Sequence, residues 1–181
     1  MYEIEKRRSA RAFSGEKAGS RQIERIMEAA HLAPSCFNNQ PWRFVVYQSE
    51  QELENISQVL SKNNYWAKKS AFIVAAVTRG EDDCQLSDNR GYALFDTGLA
   101  VENMMLQAIH EGLFAHPMAG FDPLKVKDIS QIPEDFTVIA LVAFGVPGDV
   151  EQLEERHQQL EENPRSRKPL NEIVFNGSWG H

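Results

Sequence analysis

The sequence predicts one layered domain that combines helices with a sheet, of the α/β or α+β class. Two observations carry this. Residues 71–80 (AFIVAAVTRG) and 136–148 (FTVIALVAFGVPG) are nearly unbroken apolar runs of strand length, which read as strands buried on both faces. Segments with apolar residues at helical spacing lie before and between them. A third observation narrows the class. The strands are few and no G-x-G-x-x-G follows one, so a doubly wound dinucleotide fold is not expected.

The elements follow in chain order. Residues 20–33 (SRQIERIMEAAHLA) place apolar side chains at 23, 26, 27, 29, 30 and 32, with Ser20 as the expected N-cap and Pro34 as the stop. WRFVVYQ (42–48) alternates and is rich in β-branched and aromatic residues, hence a strand. In 49–62, Ser49 followed three residues later by Glu52 reads as a capping box opening a helix. Residues 92–113 form a long helix ended by Gly112. That helix is apolar over most of its circumference, which a domain of this size struggles to cover alone, so a partner subunit is inferred. Residues 121–132 read as a short helix, and 136–148 as the next strand. The tail opens with a polar, acidic, helix-like stretch, carries a basic cluster, and ends in a short apolar strand, EIVF (172–175), placed to complete a sheet.

The bulk numbers agree with one globular domain: 181 residues, 42% hydrophobic, 25% charged. A net charge of −7 argues against general binding to nucleic acid or anionic membrane. Cys36 and Cys84 match no metal or redox spacing and read as two reduced thiols. The five histidines show no ligand pair, so no metal is expected. With no apolar leader and no span long and apolar enough for a bilayer, the expectation is a cytoplasmic protein.

Two basic clusters interrupt the acidic chain. EKRRSARAF holds Lys6, Arg7, Arg8 and Arg11, and PRSRKP holds Arg165, Arg167 and Lys168. Composition alone allows a solvated basic face at each end. Ser9 and Ser166 among the cations also suit a phosphate, which takes hydroxyls and guanidinium forks together. Between the clusters, APSCFNNQPWRF packs Ser35, Cys36, Asn38, Asn39 and Gln40 between Pro34 and Pro41. So many short hydrogen-bonding groups, fixed at both ends by proline, suit reading the polar edge of a ligand. Trp42 reads as a core anchor.

Four segments, RRSARAF, APSCFNNQPWRF, HPMAGF and PRSRKP, stand in the order and at the separations of one known family. The chain resembles the nitroreductase family of flavin-dependent NAD(P)H oxidoreductases. The resemblance implies an α+β fold with a central mixed β-sheet flanked by helices, built as an intertwined homodimer with C-terminal arm exchange. Residues 1–181 would be a single domain, with 1–15 a phosphate-binding segment and 150–181 an arm extending over the partner subunit. It implies FMN as cofactor at the dimer interface and NADH or NADPH as electron donor. Arg7, Arg8, Ser9 and Arg11 would hold the FMN phosphate and ribityl chain, with Arg165 and Arg167 closing on the phosphate. Pro34, Ser35, Cys36, Asn38 and Gln40 would reach the flavin from the other subunit. Ala119 and Gly120 would lie beside the ring, and Asn64 would either add a contact or belong to a polar loop.

The implied reaction is ping-pong hydride transfer from NAD(P)H to a small acceptor, such as a nitroaromatic or a quinone, with no catalytic side chain nominated. His116 reads as a structural histidine before Pro117, with a proton-donor role as the alternative. Ala119 departs from the glutamate common at its position, and Cys36 from serine or alanine. Two other readings fit the motifs: a flavin-binding relative with a non-reductase or flavin-modifying role, and a non-enzymatic dimeric ligand-binding module.

Overall fold

A computed structural model describes residues 2–180. Its centre is a four-stranded sheet in the order β1-β2-β4-β3, with β1 at Trp42–Tyr47, β2 at Phe72–Thr78, β3 at Phe114–Met118 and β4 at Thr137–Gly145. Every neighbouring pair runs antiparallel, with Val45 opposite Ala75 and Ala75 opposite Leu141. The expected mixed sheet is therefore corrected to an antiparallel one. The long helix between β2 and β3 returns the chain to the far side of β4, so no parallel pair forms. β3 escaped the sequence reading because Pro117 breaks its pattern. A proline fits there because β3 is an edge strand.

The two buried strands sort their side chains by alternation. Ile73, Ala75, Val77, Leu141 and Ala143 enter one core, and Phe72, Val74, Val142 and Phe144 enter the other. The first core is closed by Ile56 of α3 (Glu50–Ser57), Val126 of α5 (Pro123–Ser130) and Trp66 of a 3₁₀ turn. The second is closed by Ile23, Ile26 and Ala30 of α2 (Ser20–His31) and by Ala100, Met104 and Ala108 of α4 (Ala93–His110). Trp42 lies in this second core, as expected. Phe72 and Phe144 stack at 4.5 Å there. Helices thus cover both faces, which is why β2 and β4 carry no polar alternation.

Local chemistry sets the helix ends. The Ser49 hydroxyl accepts from the Glu52 N–H and the Glu52 carboxylate accepts from the Ser49 N–H, the expected capping box. Ser20 is not the cap of α2; Gly19 takes that position, with its N–H on the Gln22 side chain at 2.9 Å. Gly112 turns the chain out of α4 at φ +78°. Two short helices complete the chain, α1 (Tyr2–Lys6) and α6 (Glu155–Glu162).

The expected strand at 172–175 does not form. Leu170–Glu172 is a 3₁₀ turn, and Ile173 and Val174 are more than half exposed. Ile173, Val174 and Phe175 lie outside the sheet, and their strand propensity finds no pairing partner among the described residues. The long helix α4 is mostly covered within one chain, but Leu94 and Phe95 remain exposed. No described helix is long and apolar enough to cross a membrane.

Candidate functional site

The N-terminal segment is locked against the end of β4. Gly148 donates its N–H to the Ala12 carbonyl at 2.8 Å, and Ser14 donates to Val146 at 3.0 Å. A Cβ on Gly148 would meet the Phe13 backbone at 2.4 Å, so only glycine permits this approach. His116 fastens the same segment from β3. Its Nδ1 faces the Ala10 carbonyl at 3.2 Å, which can only accept, so Nδ1 carries the proton. The ring packs on Trp66 at 4.5 Å. Burial, with nearby Arg11 adding to it, pushes His116 down to about 4. It is a neutral structural donor at neutral pH.

Beyond this anchor the two basic clusters meet. Arg8 reaches the Asn163 carbonyl at 2.7 Å, and Arg165 reaches back to the carbonyls of Ile4, Glu5 and Arg7. Together they frame a cleft of about 290 Å³ lined by Arg7, Arg8, Ser9, Arg165, Ser166 and Arg167, with Leu160, Asn163 and Pro164. No carboxylate is among these lining residues. The ion pair of Arg7 with Glu102 of α4 is long, 3.9 Å. Arg11 goes elsewhere. Its backbone N–H and guanidinium both bind Glu161, and it lines a different cavity with Tyr65 and Trp66. Sequence reasoning missed Glu161 and Asn163, which sit in a stretch that read only as an acidic helix.

The amide-rich turn is a rigid structure of its own. Ser35 Oγ accepts from the Gln40 N–H at 2.9 Å, and the Gln40 side chain donates to the Asn38 carbonyl at 3.0 Å. Phe37, Asn38 and Gln40 all have positive φ, an arrangement costing on the order of 1–3 kcal/mol per residue that surrounding contacts must hold. Those contacts come from the loop before α4 and from its first turn. Cys36 N–H donates to Asp96 Oδ2 at 2.7 Å, and Asn39 donates to Asp83 Oδ1 at 3.2 Å. Pro34, Ser35 and Cys36 line a cleft of about 300 Å³ with Leu86, Tyr92, Phe95, Asp96 and Leu99. Phe37 projects from the turn, 91% exposed.

The cysteines correct the sequence reading outright. Cys36 and Cys84 form a disulfide rather than two reduced thiols. They lie 48 positions apart in the chain, and only the packing of the amide turn against the loop before α4 brings their Cα atoms to 6.1 Å. Asp83 Oδ2 is buried without a hydrogen-bond donor. Burial first, then Asp83 itself, raise Asp96 above its ordinary value, against the pull of the Cys36 N–H.

The third predicted segment forms a small knot. Asn64 Nδ2 and Ser61 N–H both donate to the Gly120 carbonyl, at 2.9 and 2.8 Å. A Cβ on Gly120 would lie 2.6 Å from Ser61 Oγ, so the glycine here serves this contact. Ala119 precedes it directly. Arg7, Arg8, Ser9, Arg165 and Arg167 are thus brought together in one chain, and so are Asn64 and Gly120. The amide turn lines a separate cleft that shares no lining residue with the arginine cleft.

Fold and clefts define a layered α+β protein with an arginine-lined cleft and a separate, rigid amide-lined turn. The chain belongs to the nitroreductase family, whose model matches residues 4–81 and 62–146. It is similar to a protein of Archaeoglobus fulgidus named as a candidate NADH dehydrogenase/NAD(P)H nitroreductase, 31% identical over 150 residues, 79% of this chain and 82% of that one. A protein of Thermus thermophilus named NADH dehydrogenase is 26% identical over 204 residues, covering 94% of this chain and 92% of its own. Among solved structures, one described as an oxidoreductase containing FMN superposes with a TM-score of 0.89 at 29% identity, covering 99% of this chain and 92% of that one.

Proposed function

We propose that two copies of this chain form a homodimer that binds FMN and transfers hydride from NADH or NADPH to a small acceptor, such as a nitroaromatic or a quinone, in ping-pong order. One observation carries the reading. The two arginine-bearing ends of an acidic chain converge on one cleft whose lining residues include no acid. Guanidinium forks with two hydroxyls match a phosphate monoester. The FMN-containing solved relative and the relatives named for NAD(P)H chemistry support the same reading.

When bound, FMN supplies the two-electron chemistry, accepting hydride from the nicotinamide and passing it on. The chain's own residues bind and orient. Arg7, Arg8, Ser9, Arg165 and Arg167 hold the phosphate. Arg11, tied to Glu161, contributes by fixing the segment that carries them. The amide turn of the second copy, Pro34, Ser35, Cys36, Asn38 and Gln40, reads the polar edge of the ring. Ser35 Oγ already accepts from Gln40, so its own proton remains free to donate. Its rigidity limits the entropy lost on binding. Ala119 and Gly120, held by Asn64, line the ring, and Ala119 places no charge there. Exposed Phe37, Leu94 and Phe95, and the exposed segment after α6, supply surface for the second copy. No side chain is assigned as acid or base, since His116 is spent on Ala10.

The test is flavin content and affinity. The purified protein is expected to carry FMN, or take it up, and to oxidise NADH or NADPH with a quinone acceptor. Arg167 contacts the carbonyl of its neighbour Ser166. Arg167→Ala is therefore expected to fold normally yet weaken FMN binding by about 2 kcal/mol, roughly 30-fold in Kd. Unchanged FMN affinity in Arg167→Ala and Arg165→Ala would remove the phosphate assignment.

A further inference from the structure

The Cys36–Cys84 pair sits beside a side chain that the reductase reading leaves unused. Both sulfurs and a carboxylate oxygen of Asp83 lie within 4.8 Å of one another. Asp83 is only 7% exposed, and its Oδ2 is buried with no hydrogen-bond donor. Its Oδ1 is already fixed by Asn39 and by the Cys84 N–H at 2.8 Å, so the carboxylate is held facing the sulfurs. Two sulfurs and a carboxylate at this separation form a donor set for a thiophilic divalent cation.

We propose that the reduced chain holds a divalent zinc-type cation at Cys36, Cys84 and Asp83, and that the disulfide is the closed form of this site. The steps balance. A dithiol reductant gives two electrons and two protons to the S–S bond, yielding two thiols and its own disulfide. The cation then displaces both thiol protons, and two thiolates with one carboxylate surround a 2+ charge. Water completes a fourth position, as in zinc sites with three protein ligands. The sulfurs must part to the separation of tetrahedral ligands, which side-chain rotation allows with Cα atoms 6.1 Å apart. The cation then takes over the disulfide's mechanical role, tying the amide turn to the loop before α4. Of the three ligands, only Cys36 lies in the turn assigned to flavin, and the metal site needs no flavin to form.

The experiment uses the full chain without added flavin. It is reduced with a phosphine, freed of reductant under anaerobic conditions, and titrated with Co²⁺. The expected result is one Co²⁺ per chain, with a thiolate-to-cobalt charge-transfer band that Zn²⁺ displaces. The oxidised chain is expected to show neither. Asp83→Asn leaves both cysteines in place and is expected to weaken Co²⁺ binding at least tenfold in the reduced state. Cys84→Ser is expected to abolish the charge-transfer band. Far-ultraviolet circular dichroism in each state reports folding. The proposal is overturned if reduced and oxidised chains bind Co²⁺ alike, or if reduced Asp83→Asn binds as the parent does. It is equally overturned if reduction unfolds the chain and the cation does not restore it. None of these outcomes touches the FMN reading.

Discussion

Between pH 7 and pH 5, His116 alone is expected to remove about 2 kcal/mol from the folding stability of this protein. The ring is buried, donates through Nδ1 to the Ala10 carbonyl, and packs on Trp66. Its folded value is about 4, against an ordinary 6.5, and burial is the main cause. The unfolded chain therefore binds a proton in this window that the folded chain refuses. A depressed value of this kind gives stability that is fully present above 6.5, falls as pH drops, and is gone once pH passes below about 4. The full loss is about 3 kcal/mol, from 1.36 kcal/mol per pKa unit. His157, also pushed down by burial, adds loss of the same sign. Asp96, raised, acts in the opposite sense. Comparison with His116→Asn cancels both. Asparagine keeps an N–H donor for Ala10 but does not titrate, so its stability is expected to fall less. The assay is urea denaturation of both proteins at pH 7, 6 and 5. The expected difference in their losses is about 2 kcal/mol between pH 7 and pH 5. Equal losses would show that His116 takes up a proton as readily in the folded state as in the unfolded one, and would remove its role as a neutral clamp.

Two further outcomes test the frame around the site. Gly148→Ala forces a methyl group to within 2.4 Å of the Phe13 backbone, and is expected to cost about 3 kcal/mol and to loosen FMN binding with it, read by thermal denaturation and flavin titration. Replacing Cys36 and Cys84 together by serine opens a loop of 48 residues and is expected to cost about 4 kcal/mol on chain-entropy grounds, read by urea denaturation under oxidising conditions.

Much of the fold was legible because it depends on local pattern. The apolar runs of β2 and β4 were read as strands, and they alternate between two cores because helices cover both sheet faces. Ser49 and Glu52 announced their helix because a capping box is closed within four residues. β3 was not legible, since a proline in an edge strand looks the same in sequence as a proline in a loop. The apolar run at 172–175 misled in the opposite direction, because strand propensity cannot create a pairing partner.

The candidate site divides along the same line. The residue types that suit a phosphate, and the turn crowded with amides, were determined by the sequence itself, since arginine, serine and asparagine carry their chemistry wherever they are placed. Their meeting was decided by the tertiary structure. It took the locking of Phe13 against Gly145 and Gly148, and the reach of Arg165 across to the first helix, to bring residues more than 150 positions apart to one cleft. The same holds for Cys36 and Cys84. A disulfide depends on the separation and direction of two Cβ atoms, and no spacing along the chain reports either.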